Sequence, residues 1–439
     1  MTSSMSPRPK AGDRLSVTPG RLDLEGRGVA DLDGEEVHVA GLLPGEAGIA
    51  LVEHVSRQKR RTWAVLAAPP AAPSPERSER ICPALCGGCA WQHLTYPAQL
   101  VEKRRRVEEA LGVPVAEVVP APAIAGYRNK ATWVIARREG RIKLGAWAPR
   151  SHAWIDTSGC RVVHPAITAA ADAAATALDD SGLAVYDEAT RAGHLRYLVA
   201  RASRDGQVLL GIVTASDAPR DALERMAAAL LPVARGVVWL PNDTTTGAIL
   251  GADSHHLAGA PRLAESIDGI AFEVAIDTFL QVNLDAAEAM YRRLAQHLEP
   301  LAGRVAVDLY CGIGPIALTL ARRGAEVVGI ERNPAAIAEA QAAAARNRIA
   351  ARFEVAAATI GDRALDIAVV NPPRQGLTPE VRADLAAAGP PILAYVSCGP
   401  DSLGRDLAEL TSYRVDAIEP FDLMPGTGHV ETLVIARRR

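Results

Sequence analysis

The chain has 439 residues, 49% of them hydrophobic and 23% charged, which predicts two or three domains and excludes a disordered protein. No apolar run reaches the ~18 residues of a membrane helix, and the polar N-terminus lacks a signal-peptide pattern, so we expect a cytoplasmic protein without a membrane partner. The net charge of −3 divides into +6 over residues 1–150 and −9 over residues 151–439, which indicates a basic module attached to a more acidic one.

Residues 8–68 show short alternating apolar runs separated by glycine-containing turns. Five short strands in this length predict a small barrel of the OB type, which forms the first expected domain. Four basic residues near its end are candidates for phosphate contacts: Arg57, Lys59, Arg60 and Arg61. A proline-rich spacer follows the barrel at 67–80.

Residues 69–275 are predicted to form a central domain of mixed helices and strands. A helix is expected over 96–111, and its basic run Lys103–Arg106 is a second candidate for phosphate contacts. Strands are expected over 127–160, and a hairpin over 195–215 with Asp205-Gly206 at its tip.

The central domain contains a cysteine segment, which extends over 82–160. Cys82, Cys86 and Cys89 lie within eight residues, and Cys160 follows at a distance. Four thiolates are enough to hold zinc or an iron–sulfur cluster, and six cysteines in the whole chain are too few for a disulfide scaffold. The spacing does not separate the two metals, although a zinc ribbon normally has two C-x-x-C pairs and this segment has one.

Residues 276–439 alternate between predicted helices and apolar strands. Such repeated βα units predict an α/β fold with a doubly wound, Rossmann-like sheet of parallel strands. Ligands of these folds bind at the carboxyl ends of the strands, so the residues that follow each strand are the candidates for a functional site.

The first strand of this region ends in Asp308, and Gly312 and Gly314 follow at the start of a helix. Glycines there allow close approach of the backbone to a ligand. The next strand ends in Glu331, whose carboxylate can accept both hydrogen bonds of a ribose diol. These residues predict an adenosine cofactor, and Ala317, where a dinucleotide fingerprint has its third glycine, favours S-adenosylmethionine over NAD.

Two later strands end in residues suited to methyl transfer. Asn371-Pro372-Pro373-Arg374 forms a stiff loop able to hold a planar base, with Arg374 in the position where amino-methylating enzymes have an aromatic residue. Cys398 ends the next strand before a helix, and proximity to a helix N-terminus predicts a lowered thiol pKa. Glu431, at the start of the last strand, is the candidate proton acceptor.

A thiol and a carboxylate together suit methylation at carbon 5 of a pyrimidine. Carbon 5 becomes nucleophilic once a thiolate has added to carbon 6, and a carboxylate can later remove the proton from carbon 5. The base must leave the stack to expose carbon 6. Cytosine-5 enzymes typically add a second cysteine within a Pro-Cys dipeptide, and the loop at residues 371–374 has none.

These motifs together resemble the RNA 5-methyluridine methyltransferases, most closely the iron–sulfur branch that acts on 23S ribosomal RNA. The resemblance covers nearly the whole chain. It implies that 8–68 is a TRAM domain, an OB-type RNA-binding module, and that a [4Fe-4S] cluster is held by four cysteines, here Cys82, Cys86, Cys89 and Cys160. The first cysteine gap, at three residues, is shorter than the family's five or more.

The resemblance also assigns cofactor residues. The family's FxQxN segment matches Phe279 to Asn283, which implies that Gln281 contacts the cofactor and that Phe279 holds or displaces the target base. DLYCGxG matches Asp308 to Gly314, with Tyr310 at the cofactor, and Glu331 is implied to bind the cofactor ribose.

The resemblance also assigns the catalytic and substrate-binding residues. Asn371 is within the family's range, where aspartate or asparagine stands at this cofactor position, and Arg374 is assigned to the RNA substrate. Ser397-Cys398-Gly399 replaces the more usual SCN, which leaves Cys398 as the nucleophile, and Glu431 matches the proton acceptor.

Several alternatives stay open from the sequence. The transfer-RNA branch of the family generally lacks both the cysteine cluster and the TRAM domain, which favours 23S ribosomal RNA. We expect the enzyme to be a monomer. A transfer-RNA uridine-5 methyltransferase is the first alternative. A non-catalytic RNA-binding iron–sulfur protein with a vestigial transferase domain is the second.

Overall fold

The computed structural model describes residues 8–80, 82–245, 247–251 and 253–439. The polar N-terminus used to exclude a signal peptide lies partly outside the described residues, at 1–7. None of the described helices is both long and apolar enough to cross a membrane.

The N-terminal sheet contains six strands, one more than predicted: β1 (Arg14–Val17), β2 (Arg21–Leu22), β3 (Gly28–Leu32), β4 (Glu35–Ala40), β5 (Gly48–Val55) and β6 (Arg61–Leu66). The strand β2 has only two residues, too few for a visible alternation. The order is β1-β5-β6-β4-β3-β2, with β4 and β6 parallel and the other pairs antiparallel. Val37, Val39 and Ala50 are fully buried in its core.

The predicted helix over 96–111 is confirmed as α1 (Tyr96–Leu111). Proline at its first turn and Gly112, with a φ of 69°, set its two ends. Its buried residues are Gln99, Glu102, Lys103 and Val107. Because three of these four are polar, α1 is anchored largely by hydrogen bonds and charges.

The central sheet follows, and its elements are β7 (Lys130–Arg138), β8 (Arg141–Trp147), β9 (Trp154–Asp156), α2 (Pro165–Asp180), β10 (Leu195–Ala202), β11 (Val208–Thr214), α3 (Arg220–Leu230), β12 (Gly236–Pro241) and β13 (His255–Gly259). The strand order is β13-β12-β11-β10-β7-β8-β9. The hairpin predicted around Asp205-Gly206 is confirmed by antiparallel pairing of β10 with β11. Helices α2 and α3 cover one face of the sheet, and a short hairpin joins this part to the next: β14 (Leu263–Ile267) and β15 (Ile270–Val274).

The C-terminal sheet has helices on both faces. Its elements are α4 (Leu284–Leu298), β16 (Val305–Leu309), α5 (Pro315–Arg322), β17 (Glu326–Glu331), α6 (Pro334–Asn347), β18 (Arg352–Val355), β19 (Ile367–Val370), α7 (Pro379–Ala388), β20 (Ile392–Ser397), α8 (Pro400–Glu409), β21 (Tyr413–Phe421) and β22 (Glu431–Arg438). The order is β18-β17-β16-β19-β20-β22-β21. The first five strands are parallel as predicted, whereas β22 is antiparallel to both of its neighbours. A hairpin connection from β21 to β22 explains this exception, because a short connection reverses the chain.

Candidate active site

The reversal of β22 brings Glu431 to the edge of the sheet where Cys398 lies. Ser397, the last residue of β20, pairs with Thr432 of β22. Cys398 therefore follows the pair on one strand, and Glu431 precedes it on the other. Neighbouring strands lie about 4.8 Å apart, so the two predicted catalytic residues are close together.

The loop at residues 371–374 reaches the same edge. It follows β19, which pairs with β20, and it closes with a hydrogen bond from the Gly376 amide to the Pro373 carbonyl (2.8 Å). A Cβ placed on Gly399 would lie 3.3 Å from the Arg374 carbonyl oxygen, so this loop packs against the Cys398 turn. The Arg374 side chain is exposed, and it lies close enough to Cys398 for its charge and a hydrogen bond to favour the thiolate.

Burial dominates the electrostatics of the two predicted catalytic groups. Burial raises the pKa of Glu431 to about 7, although the positive charge of Arg374 opposes the shift. Its Oε2 atom has no hydrogen-bond partner among the described residues. Burial, followed by the negative charge of Glu431, also raises the pKa of Cys398. The lowered thiol pKa predicted from the helix N-terminus is therefore wrong, because desolvation outweighs the helix.

His429 also belongs to this group, and no sequence motif distinguishes it. Burial lowers its pKa to about 4, and the charges of Arg374, Arg106 and Lys103 contribute to the shift. The imidazole is therefore neutral at pH 7, two residues before Glu431 on the same approach to β22.

The predicted cofactor loop has a strained backbone. Tyr310 has a φ of 64°, a left-handed conformation that is uncommon for a tyrosine and typical of functional sites. Gly312 has a φ of 55°, and a Cβ there would meet no described atom within 4 Å, so the space beside its Cα is open to a ligand. Gly314 has a different role, because a Cβ there would lie 2.8 Å from the Phe353 ring.

Glu331 and Asp308 accept hydrogen bonds from backbone amides in this loop and in the helix that follows it. One Glu331 oxygen accepts from the Gly312 amide (3.3 Å) and the other from the Arg332 and Asn333 amides (2.7 and 3.0 Å). Asp308 is buried, and its Oδ2 accepts from the Ala317 amide in the first turn of α5 (3.0 Å). Burial raises the pKa of Asp308 to about 7.

Tyr291 on α4 lies within electrostatic range of both Asp308 and Glu431. It is buried, and after desolvation the charges of Glu431 and Asp308 raise its pKa. The two predicted halves of the site therefore share one buried side chain. Helical spacing marks Tyr291 only as a core residue, which is why the sequence did not reveal it.

Within the Phe279–Asn283 segment, some side chains are exposed to solvent and others are buried. Phe279 is 77% exposed, whereas Gln281 is 9% exposed. The Gln281 carbonyl accepts from the Asn129 side chain (3.2 Å), and Asn283 caps α4 by accepting from the Ala286 amide (3.3 Å). An apolar ring so exposed is free to contact a substrate.

Arg201 hydrogen-bonds to the backbone next to the same segment. No sequence motif distinguishes this arginine. Its guanidinium is 2% exposed and donates to the Thr278 carbonyl, directly before Phe279. Its Nε and Nη1 atoms have no partner among the described residues. Burial lowers its pKa to about 10, although Asp277 and Glu265 favour the charged form.

The loop over 422–430, which leads to Glu431, is fastened to the region around α1. Lys103 Nζ donates to Asp422 Oδ1 (2.6 Å) and to the Met424 carbonyl (3.1 Å). Gln99 Oε1 accepts from the Gly426 amide (2.8 Å). These contacts fix the loop before the predicted proton acceptor.

The structure therefore contradicts the prediction that the side chains of Lys103–Arg106 are available for phosphate contacts. Lys103 is fully buried. The other three basic side chains form ion pairs with carboxylates: Arg104 with Glu108, Arg105 with Glu102 and Glu109, and Arg106 with Asp401.

The cysteine segment lies beside the same loop. A Cβ placed on Gly426 would lie 3.5 Å from the Cys89 Cβ and 3.7 Å from its Sγ. Burial first, and then negative charges on Cys160, Cys86 and Cys82, raise the pKa of Cys89 to about 11. The four predicted thiols thus gather within electrostatic range of each other. No group of three or more His, Cys, Asp or Glu in the described part of the chain has the arrangement that holds a metal ion.

Known proteins resemble the chain at two levels. The family model for the methyltransferase small domain matches residues 272–388. A protein of Parasynechococcus marenigrum named as an uncharacterized RNA methyltransferase is 34% identical over 100% of this chain and 98% of its own length. A protein of the same description from Geobacter sulfurreducens is 33% identical, with 98% and 91% covered. The chain belongs to this family of RNA methyltransferases.

The RNA methyltransferase also resembles a solved structure over nearly its whole length. The tRNA (uracil-54, C5)-methyltransferase of Pyrococcus abyssi, in complex with S-adenosyl-L-homocysteine, is 27% identical with a TM-score of 0.79. The match covers 97% of this chain and 100% of that one. It confirms an α/β methyltransferase fold, and it supports S-adenosylmethionine as the cofactor predicted for the loop between Asp308 and Glu331.

Proposed function

We propose that this RNA methyltransferase uses S-adenosylmethionine to form 5-methyluridine. The observation that carries the proposal is the meeting of Cys398 and Glu431 at one sheet edge, with Arg374 beside both. A nucleophile and a buried carboxylate are the two groups that methylation at carbon 5 requires. The likeness to a uracil-C5 methyltransferase supports the same reaction.

In the proposed reaction Cys398 attacks carbon 6 of a flipped uracil as a thiolate, and the electrons of the 5,6 double bond form an enolate. S-adenosylmethionine supplies the methyl group that carbon 5 accepts. Glu431 removes the proton from carbon 5, the double bond re-forms, and the carbon–sulfur bond to Cys398 breaks. Arg374 stabilises the thiolate before attack and after release.

The loop residues Gly312 and Glu331, with Tyr310 and Asn371, are the proposed cofactor contacts. The open space beside the Gly312 Cα and the strained Tyr310 backbone fit a ligand at this position. Asp308 is buried below the loop and would act by holding the first turn of α5. Gln281 is proposed to contact the cofactor, and Phe279 the RNA.

The first candidate substrate is 23S ribosomal RNA, as the sequence resemblance implies. Transfer RNA is the second, because the solved transfer-RNA enzyme matches 97% of this chain, including the parts that favoured ribosomal RNA. Labelled S-adenosylmethionine with separate transcripts of 23S ribosomal RNA and transfer RNAs, followed by nucleoside chromatography, tests both. We expect 5-methyluridine in the ribosomal transcript. Label in transfer RNA alone would select the second candidate, and cofactor binding with no methylated nucleoside would favour a vestigial transferase.

The rate should rise with pH, because the proposed base must be ionised. Burial raises the pKa of Glu431 to about 7, so kcat at saturating RNA and cofactor should increase as the pH rises through about 7 and fall when acid protonates Glu431. Cys398, whose pKa is also raised, should extend the increase to higher pH. Initial rates between about pH 6 and 9 check this expectation. Arg374→Gln should shift the rise to higher pH, whereas a flat profile through neutral pH would contradict the assignment.

We also propose that Cys82, Cys86, Cys89 and Cys160 hold a [4Fe-4S] cluster. The four thiols gather around Cys89, yet they lack the arrangement that binds one metal ion. Four cysteine thiolates are the ligand set of a [4Fe-4S] cluster, and the resemblance to the iron–sulfur branch favours the cluster over zinc. Protein purified without oxygen should contain iron and acid-labile sulfide, and zinc without iron would select the alternative.

The remaining proposals concern organisation and the RNA surface. We divide the chain into a TRAM-type barrel at 8–68, a central domain at 69–275 and a methyltransferase domain at 276–439, acting as a cytoplasmic monomer. The exposed side chains of Arg57 and Lys59 on the barrel are the proposed phosphate contacts. RNA affinity should therefore weaken as salt increases.

A further inference from the structure

A pocket on the central sheet combines aromatic rings with arginine side chains, and it belongs to no site described above. Its volume is about 600 Å³. Trp147 on β8 and Tyr197 on β10 lie on the same face of the sheet, because Tyr197 pairs with Val134, and Val134 pairs with Gly145, two residues before Trp147. Tyr186 and Trp133 complete the aromatic lining. Aromatic residues make up only 4% of the chain, so four at one pocket are a marked concentration.

A buried arginine fixes one wall of the pocket. Arg196 is 5% exposed, donates to the Asn242 carbonyl (2.6 Å) and pairs with Glu188 (2.9 Å). Its guanidinium carbon lies 4.6 Å from the centre of the Tyr186 ring. The Nε atom has no partner among the described residues. A rigid cation with an unused N–H group is suited to a polar, planar ligand.

The pocket shares a sheet face with the segment that presents Phe279. Tyr197 and Arg201 are four residues apart on β10, so their side chains point to the same face about 13 Å apart. Arg201 donates to the Thr278 carbonyl, next to Phe279. A strand of RNA with one base near Phe279 could therefore reach the pocket within a few nucleotides.

We propose that this pocket binds an unpaired base of the substrate RNA, a few nucleotides from the methylated uridine. The proposal rests on the RNA substrate of the proposed function. Single-stranded RNA is recognised by stacking its bases on aromatic rings and guanidinium planes, which Trp147, Tyr197 and Arg196 supply. The exposed Arg191 at the rim adds a positive charge for the phosphate backbone, and the volume is in the range that encloses a small ligand.

The test is the affinity of Trp147 variants for RNA. A single-stranded RNA of mixed sequence, about 12 nucleotides long, is the probe for direct binding. Trp147→Ala should weaken binding by roughly 5- to 100-fold because a stacking surface is lost. Trp147→Phe keeps an aromatic face and should stay within about threefold of the wild type. Trp239→Ala, on β12 outside the pocket, is the matched control and should bind RNA as the wild type does.

Two further measurements separate a binding subsite from a structural defect. In methylation assays Trp147→Ala should raise the KM for RNA while kcat at saturating RNA and the affinity for S-adenosylhomocysteine stay unchanged. Equal RNA affinity of wild type and Trp147→Ala overturns the subsite and leaves a peptide or small molecule as the occupant. Failure of the wild type to form 5-methyluridine overturns the proposed function instead, and direct RNA binding still decides the subsite.

Discussion

Replacing Cys398 with alanine is expected to reduce methyl transfer to RNA by about 10⁴-fold or more, because removal of a covalent nucleophile leaves only binding and positioning. The cofactor loop lies on other strands, with Glu331 holding the Gly312 amide. Affinity for S-adenosylhomocysteine should therefore stay within about twofold of the wild type. Single-turnover transfer of labelled methyl groups and equilibrium binding measure the two quantities separately.

Glu431→Gln provides the complementary variant. Its amide cannot accept the carbon 5 proton, so the covalent link between Cys398 and methylated RNA should persist and retard the protein on a denaturing gel. Cys311→Ala is the matched control, because burial raises the pKa of the Cys311 thiol and makes it a poor nucleophile. The adduct should survive in Glu431→Gln with Cys311→Ala and vanish with Cys398→Ala. Methylation by Cys398→Ala at the wild-type rate would remove the nucleophile from the mechanism.

The sequence predicted the methyltransferase half well because each signal was local. Apolar runs alternating with helical patterns indicated the parallel sheet, and the residues after its strands marked the edge where Asp308 and Cys398 lie. The insertion of β22 between β21 and β20 depends on a long-range pairing with β20 that no local pattern encodes. The raised pKa of Cys398 depends on packing around the thiol, which outweighs the helix N-terminus visible in the sequence.

The basic run in α1 also shows that a local sequence pattern does not determine whether a side chain is buried. Lys103 is followed by three arginines, a pattern typical of a solvated, phosphate-binding face. Its buried position comes from Asp422, more than three hundred residues away along the chain. The sequence alone therefore predicts a place on the RNA surface for a residue that in the structure fastens the Glu431 loop.

Lys103→Met should destabilise the protein by about 3–5 kcal/mol, since it leaves the Asp422 carboxylate buried without its counter-charge. Both side chains are fully buried, and Asp422 also accepts from the Met424 amide (2.9 Å). The thermal transition of the folded unit containing this pair should fall by roughly 10 °C. The loop before Glu431 should also lose its fixed position, so kcat should fall while S-adenosylhomocysteine affinity changes little. Differential scanning calorimetry and initial rates measure the two effects.

Two companion variants isolate the ion pair. Lys103→Met combined with Asp422→Asn removes both charges while keeping an acceptor for the Met424 amide, and it should recover much of the lost stability because no unpaired charge stays buried. Arg104→Met, one residue along the same helix and paired only at the surface with Glu108, should change stability by less than about 1 kcal/mol. If Lys103→Met were no less stable than Arg104→Met, the buried pair would not be what anchors the catalytic loop. The recovery in the double variant distinguishes a charge effect from loss of packing, since both variants carry the same methionine.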